Sequence, residues 1–575
     1  MTIKLQKPLL FKTRDADGFA AAYLSQLLCL SLMLLSVIVA SFFYNLSSGT
    51  SDYSAGGVTA TIQFFHNFLH GRPFQTSLFA IDQSGVGFRN PFAYVHTFAI
   101  HINVVPFAFA YIWNLCPNIE SLYALFFLIN YIPLGVFAVL MIRRLSPNKW
   151  QIKSVFAISI LLSSGFFFTF EQNAQFLLLS TPFILSMVYF FELRRFSYFM
   201  LSLVLLCLVS EDSAMVAVTF CGYVLIFEPS ARRFAFWGGL FAIVYLLVAL
   251  MIVQPGARAE LHVDIPTTAW AVIRQLSFLK PEMSLILIWF APILCFLPAF
   301  ALVWILFGST SITLKKLVGL AIIAPLPHWG ECLVVGATHH LLPVVIFTYI
   351  SFIFQLGNTE DIMRPHRRVA QFKIYSVYIM TALYFLGSFR ILGSNLPDQI
   401  TPQIYRMAGN IVKADRITER SSYGTTNKQF INIVNGLPKN RSIVFLSNAS
   451  VAGFIANRTD IWPFPNNYDK ADYLVLQHSV RQSFFSLPPA DDLTPFLDPR
   501  SEENYSVPNA GTLSSESVGL LVRRLTLDLK SHILVHEAPG IFLLQRKIME
   551  PIYMPATSLG LGWLPKVFHK RSGSN

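Results

Sequence analysis

Charge is what this chain has least of. Asp, Glu, Lys and Arg make up 13% of its 575 residues, 54% are hydrophobic, and the mean hydropathy is +0.53. Soluble domains usually carry about 25% charged residues, so a large water-soluble core is excluded for most of the chain. The scarcity is uneven. Charged residues are sparse before Gly357 and ordinary in density after Pro397, which separates an apolar body from a soluble C-terminal part. Cysteine is also rare. Of six, Cys29, Cys207, Cys221 and Cys295 lie in apolar runs where they pack as small hydrophobes, and no spacing suits a metal or redox centre. Cys116 and Cys332 fall in stretches expected outside, with nothing in the sequence that fixes their distance. No internal repeat is visible. Nor is a cleavable leader, because the first apolar run, Ala20 to Tyr44, is too long for one and reads as a signal anchor.

Acid is scarcer than base, giving a net charge of +12. The basic residues sit in short clusters between apolar segments, a pattern of membrane orientation rather than of a nucleic-acid partner. Lys4, Lys7, Lys12 and Arg14 precede the first span and place the N-terminus in the cytoplasm. Arg143 and Arg144 with Lys149 and Lys153, then Arg194 and Arg195, Arg232 and Arg233, Lys315 and Lys316, and Arg364, Arg367 and Arg368 return to the same side when the following spans are counted. Those spans are Leu122 to Ile142 and then 154–169, 174–191, 196–210, 213–227, 234–253, 284–307, 317–328, 341–356 and 373–391.

The fold expected is mainly α: a polytopic transmembrane helical bundle of about 11 spans over residues 1–391, with a C-terminal extracytoplasmic α/β domain over 392–575. Residues 45–118 form a large first external loop, polar as far as Arg89, in which 90–115 reads as a helix lying at the outer interface. In the C-terminal part, Ser442 to Leu446 and Tyr473 to Gln477 read as buried strands, with a helix at Phe430 to Gly436. The location expected is a bacterial or archaeal cytoplasmic membrane, with the C-terminal domain outside.

Carboxylates at membrane depth are costly, so the few present are candidates for function. On this topology Asp52, Glu171, Glu211 and Asp212 converge on the outer face. His339 and His340 join them, as do Arg258, His262 and Arg274 from the loop 254–280. Wet turns between spans tolerate single carboxylates, which explains any one of these residues as well as a site does. Three separate acidic turns with a histidine pair suit a phosphate-bearing substrate, a cation, or both. His96 and His101 read more simply as interfacial or packing residues.

Asp52-Tyr53, Gln63, Gly71-Arg72-Pro73-Phe74 and His96, followed by the proline-broken segment through Pro106, resemble the first external loop of the GT-C membrane glycosyltransferases. The closer similarity is to an uncharacterised family, a domain of unknown function, of predicted multi-pass membrane proteins related to GT-C enzymes. Its features recur in order as Phe170-Glu171, Glu211-Asp212, His339-His340 with Pro343, Arg458, Trp462-Pro463-Phe464-Pro465 and Ala471-Asp472-Tyr473-Leu474-Val475. Ser210 stands where a lysine often precedes the acidic pair, and His340 where an aromatic residue is more usual.

The resemblance implies an inverting hexosyl- or pentosyltransferase that moves a sugar from a polyprenyl-phosphate donor in the membrane lipid to a glycan, lipid or protein acceptor at the outer face. In that scheme Asp52 is the general base. Glu171, Glu211 and Asp212 orient the acceptor or hold Mg²⁺ or Mn²⁺, with Glu211 and Asp212 as the metal candidates, and a metal-independent form stays open. His96, Arg258, Arg274, His339 and His340 face the phosphate. Two other classes remain: a transporter or lipid-linked sugar flippase that uses the same carboxylates for ion coupling, and an anchored binding protein whose external domain is the working part.

Overall fold

The computed structural model describes residues 56–73, 75–76, 95–96, 102–117, 119–161, 176–259, 299–300, 303, 311–329, 342–359, 422–447, 451–463, 471–477, 519, 522–523, 525–526, 531–538 and 540–547. It begins with α1 (Gly56–Leu69), then a short antiparallel pairing of β1 (Gln75–Thr76) with β2 (Val95–His96), then α2 (Pro106–Trp113). Two expectations are corrected here. The stretch 45–89, expected as polar loop, contains α1, whose apolar face buries Phe64 and Phe65. Phe64 stacks on Phe107 at 4.7 Å between ring centroids, and Phe65 tilts against Trp113 at 5.9 Å. In the stretch 90–115, expected as one interfacial helix, residues 95–96 pair as a strand, 102–105 are not helical, and a helix begins at Pro106. A proline suits that first helical position because its missing N–H has no intrahelical role there.

The body is a set of helices: α3 (Ile119–Leu145), α4 (Trp150–Ile160), α5 (Thr181–Glu192, entered by a 3-10 turn at Phe176–Ser180), α6 (Phe196–Cys207), α7 (Glu211–Phe227) and α8 (Arg232–Val248). A π-helical turn, Ala249–Val253, leads from α8 into α9 (Gln254–Ala259). Then α10 (Leu314–Val318) runs into a second π turn, Gly319–Ile323, and α11 (Leu342–Gly357) packs across it. Short turns join α3 to α4, α5 to α6, α6 to α7 and α7 to α8, so these neighbours run antiparallel.

Helix α8 shows how the bundle is stabilised. Its inner face carries the small residues Ala235, Gly238, Gly239 and Ala242, all buried. They bring its backbone close to α6 and α7, and a Cβ on Gly238 would lie 2.9 Å from Leu203 Cδ1 and 3.1 Å from Cys221 Sγ. Its outer face exposes Phe236, Trp237, Leu240, Ile243, Val244, Leu247 and Val248, and Met251 of the following π turn continues the stripe. Large apolar side chains outside and small ones inside reverse the order of a soluble protein and match helices packed in lipid. Helix α3 repeats the outward stripe with Leu128, Ile132, Val136 and Leu140.

Two helical stretches are long and apolar enough to cross a membrane, Leu128–Leu145 and Pro229–Ala257. The apolar helices Phe176–Glu192, Phe196–Cys207 and Leu342–Gly357 are shorter. The described residues therefore do not reach the eleven spans read from the sequence. Of the expected spans, 20–44 and 373–391 lie outside the described residues and 284–307 almost wholly so. Others coincide with helices of 12 to 17 residues, about 18–26 Å long against a hydrocarbon core of about 30 Å.

The basic turns gather at one end of this bundle. Glu228, after α7, pairs with Arg194 of the turn between α5 and α6 and with Lys316 of α10. Arg144 at the end of α3 donates to the Glu192 carbonyl at 3.2 Å. Four segments read as basic from sequence thus meet in space.

The C-terminal lobe comprises α12 (Ser422–Gly436), β3 (Ile443–Leu446), α13 (Ala452–Ile455), β4 (Ile461–Pro463), β5 (Tyr473–Gln477), β6 (His532–Ala538) and β7 (Ile541–Arg546). The sheet order is β4-β3-β5-β7-β6, with β3 parallel to β4 and β5, and β7 antiparallel to β5 and β6. An α/β lobe is what the sequence led us to expect, and β3 and β5 fall on the expected strands within one residue. The helix includes the whole of the predicted Phe430–Gly436, ends at the same residue and starts about two turns earlier, at Ser422. Asp472 fastens the start of β5 to that of β3, accepting from the Ser442 N–H and Oγ, each at 3.0 Å.

Candidate functional site

At the end of the bundle away from the basic turns, Glu211 and Asp212 open α7 and are buried, 2% and 7% exposed. The local sequence explains the helix start. Ser210 is extended and its Oγ accepts from the Ser213 N–H at 3.2 Å, an N-cap, and the positive end of the helix favours acids in the first turn. A buried carboxylate is tolerated only when hydrogen-bonded. Glu211 Oε2 accepts from the Ile102 N–H at 3.0 Å and Oε1 from the Gln254 amide at 3.1 Å. The Val104 and Val105 N–H groups both donate to the Leu208 carbonyl, at 2.9 and 3.0 Å, so the strand of chain entering α2 is fastened to the turn carrying the acidic pair.

Asp212 is reached from a third direction. The buried His328 donates from Nε2 to the Asp212 carbonyl at 3.3 Å. Gln254 follows the π turn at 249–253 directly, and His328 follows the one at 319–323 by one helical turn. An extra residue in a helical turn re-aims everything beyond it, and such turns concentrate at functional sites. Two buried polar groups beside the pair have no hydrogen-bond partner among the described residues: the Asn103 side-chain oxygen, next to Ile102, and the Tyr245 hydroxyl, which lies in the field of Glu211.

Of the residues singled out in the sequence, the structure brings together Glu211 and Asp212. His96 belongs to β2, opposite Gln75, and Arg258 to α9, one turn beyond Gln254. Asp52, Glu171, Arg274, His339 and His340, with His101 and His262, lie outside the described residues. Among the described residues no three His, Cys, Asp or Glu side chains cluster as a metal site would require. Gln254, His328 and the Ile102 N–H were missed from sequence. For the two side chains a signal existed, since each is a polar residue at the end of an apolar run beside a proline, Pro255 or Pro327. The backbone donor left none.

A second meeting point lies between α1 and the C-terminal lobe. The Gln63 amide donates to the Arg458 and Thr459 carbonyls at 3.4 and 3.5 Å, and Arg72 pairs with Asp460 at 3.1 Å. Arg458 is itself buried, and its guanidinium closes the C-terminal end of α12 by donating to the Val434, Leu437 and Pro438 carbonyls, a favourable place for a cation. Residues quoted from the two ends of the resemblance, Gln63 and Arg72 on one side and Arg458 on the other, are therefore spatial neighbours. Along the same helix His66 stacks on His70 at 4.0 Å. Burial, and then the positive charges of His70, Lys439 and Arg458, hold its ring down to about 3. Burial and Arg458 likewise lower Lys439 to about 8.

No protein-family model, no curated protein and no solved structure matches the chain.

Proposed function

We propose that this chain is an integral membrane glycosyltransferase of the GT-C type, which uses a polyprenyl-phosphate-linked sugar and acts at the outer face of a cytoplasmic membrane. The observation that carries the reading is the buried acidic pair at the start of α7, set opposite the basic end of the bundle and met by polar groups beyond two π turns. A buried acidic pair at the non-basic end supports a reading in which a lipid-borne phosphate and a water-borne acceptor meet there, and the outward apolar faces of α3 and α8 support an approach from a bilayer.

In this scheme about eleven spans carry the site and Asp52 takes the acceptor proton as general base. Asp212 holds the acceptor or a Mg²⁺ or Mn²⁺ ion. Glu211 is a positioning residue, because its two carboxylate oxygens already accept from Ile102 and Gln254. Arg258, Arg274, His339 and His340 face the donor phosphate.

The test is incubation of purified protein with a panel of radiolabelled polyprenyl-phosphate sugars, with and without chelator. Release or transfer of one sugar, abolished in Asp52→Asn and in Asp212→Asn, supports the reading. A protein that moves labelled lipid across a vesicle without releasing sugar is a flippase, and that result overturns it.

A further inference from the structure

The basic end of the bundle holds more cations than its acids use. In the described turns there, Glu192 and Glu228 are the only carboxylates, and Glu228 is engaged by Arg194 and Lys316. Arg195, Arg232 and Arg233 are exposed, and none of their guanidinium groups has an ion pair or hydrogen bond among the described residues. Arg233 has a particular position. On a helix of 3.6 residues per turn it lies on the line of Trp237, Leu240, Val244 and Met251, so it crowns the outward apolar stripe of α8. Its guanidinium rests 5.1 Å from the ring centroid of Phe196, the first residue of α6, and Arg195 directly precedes that ring. Phe196 in turn packs edge-on against Phe234 at 5.3 Å. An aromatic platform thus holds one arginine at the mouth of the seam between α6 and α8, a second arginine borders it, and a fully apolar wall runs away from it.

We infer that this seam is a binding site for an anionic phospholipid, with the headgroup phosphate between Arg195, Arg232 and Arg233 and an acyl chain along Phe236, Trp237 and Leu240. The occupant follows from the pairing of features. A soluble phosphate would use the arginines and leave the stripe in water, and a zwitterionic lipid would use the stripe and bring no net charge to uncommitted cations. Arginine binds phosphate through two parallel N–H bonds, and the ring beneath Arg233 fixes the plane of its fork. The inference rests on the bilayer reading of the bundle and is independent of sugar transfer.

Carbonate extraction of membranes containing the full chain comes first. Release into the supernatant overturns the bilayer reading and this site together. Retained protein is then placed in phosphatidylcholine nanodiscs containing either brominated phosphatidylglycerol or brominated phosphatidylcholine at the same mole fraction, and quenching of tryptophan emission is read as the difference between the parent and Trp237→Phe. The expected result is stronger quenching of Trp237 by the anionic lipid, with the preference reduced about fivefold for each of Arg195→Gln and Arg233→Gln. Arg233→Lys, which keeps the charge but not the fork, should fall between the parent and Arg233→Gln, which separates loss of charge from loss of fold. Equal quenching by the two lipids, or an undiminished preference in the double variant, overturns the site.

Discussion

Replacing Glu211 distinguishes a residue that holds the site together from one that does its chemistry. In Glu211→Ala the Ile102 N–H and the Gln254 amide lose their acceptor inside a buried site. At about 1–3 kcal/mol for each unsatisfied buried group, the loss is about 2–6 kcal/mol before any cavity term. In Glu211→Gln one oxygen still serves the Ile102 N–H, and the new amide faces the Gln254 amide nitrogen. A flip of Gln254 presents its oxygen instead, so this variant costs only about 1 kcal/mol, near the net value of one hydrogen bond. The exchange Glu211→Gln with Gln254→Glu keeps the charge and returns a donor to an acceptor. The assay is apparent melting temperature of the purified protein in one detergent, read beside sugar transfer. The order should be parent, then the exchange and Glu211→Gln close together, then Glu211→Ala well below, with transfer recovered in the exchange relative to Glu211→Gln. If Glu211→Ala melts with Glu211→Gln, the network does not stabilise this end of the bundle. If transfer stays lost in the exchange although its stability is close to the parent's, Glu211 is catalytic and its assignment as a positioning residue is wrong.

Two glycines give a matched pair within the helices. A Cβ on Gly222 meets nothing within 4 Å, whereas one on Gly238 meets three side-chain atoms at 2.9–3.1 Å; Gly222→Ala should stabilise by about 1 kcal/mol through helix propensity, and Gly238→Leu should destabilise by about 3 kcal/mol through overpacking, both read by thermal unfolding. The join between α1 and the C-terminal lobe should weaken in acid. His66 titrates near 6.5 in the unfolded chain and about 3 when folded, so its contribution is complete above about pH 6.5 and falls as the pH drops toward 3, by less than about 1.4 kcal/mol per pH unit for a partly solvated ring; hydrogen exchange over 56–73 should rise in that window and flatten in His66→Gln. Arg458→Met strips donors from three helix-end carbonyls, and should cost about 2–4 kcal/mol of lobe stability while letting Lys439 titrate above about 8.

Legibility in the sequence followed the range of the forces involved. The helices of the body coincide with apolar runs because hydrophobicity is a sum over neighbours in sequence, and the gathering of basic turns follows from counting them. Strands β3 and β5 were legible because both are central and built on a short apolar run. The hairpin of β6 and β7 was not, since β6 is an edge strand with its middle residues exposed and lacks the buried run that marks a strand. Helix α1 was read as loop because glycines and polar residues precede and follow it, while its apolar face is completed by α2 and by the C-terminal lobe. The acidic pair was found from cost alone. Its partners Ile102 and Gln254 stand 109 and 43 residues away, and no local pattern relates them.

The contact of Gln63 with Arg458 joins residues 395 positions apart. At about 5–20 residues per second on the ribosome, the partner of α1 emerges about 20–80 s after α1 itself. Throughout that interval the face of α1 that will meet the lobe has nothing to close it. The order of synthesis therefore makes the docking of the lobe a late assembly step, and leaves the lobe-facing side of α1 uncovered while the rest of the chain is made.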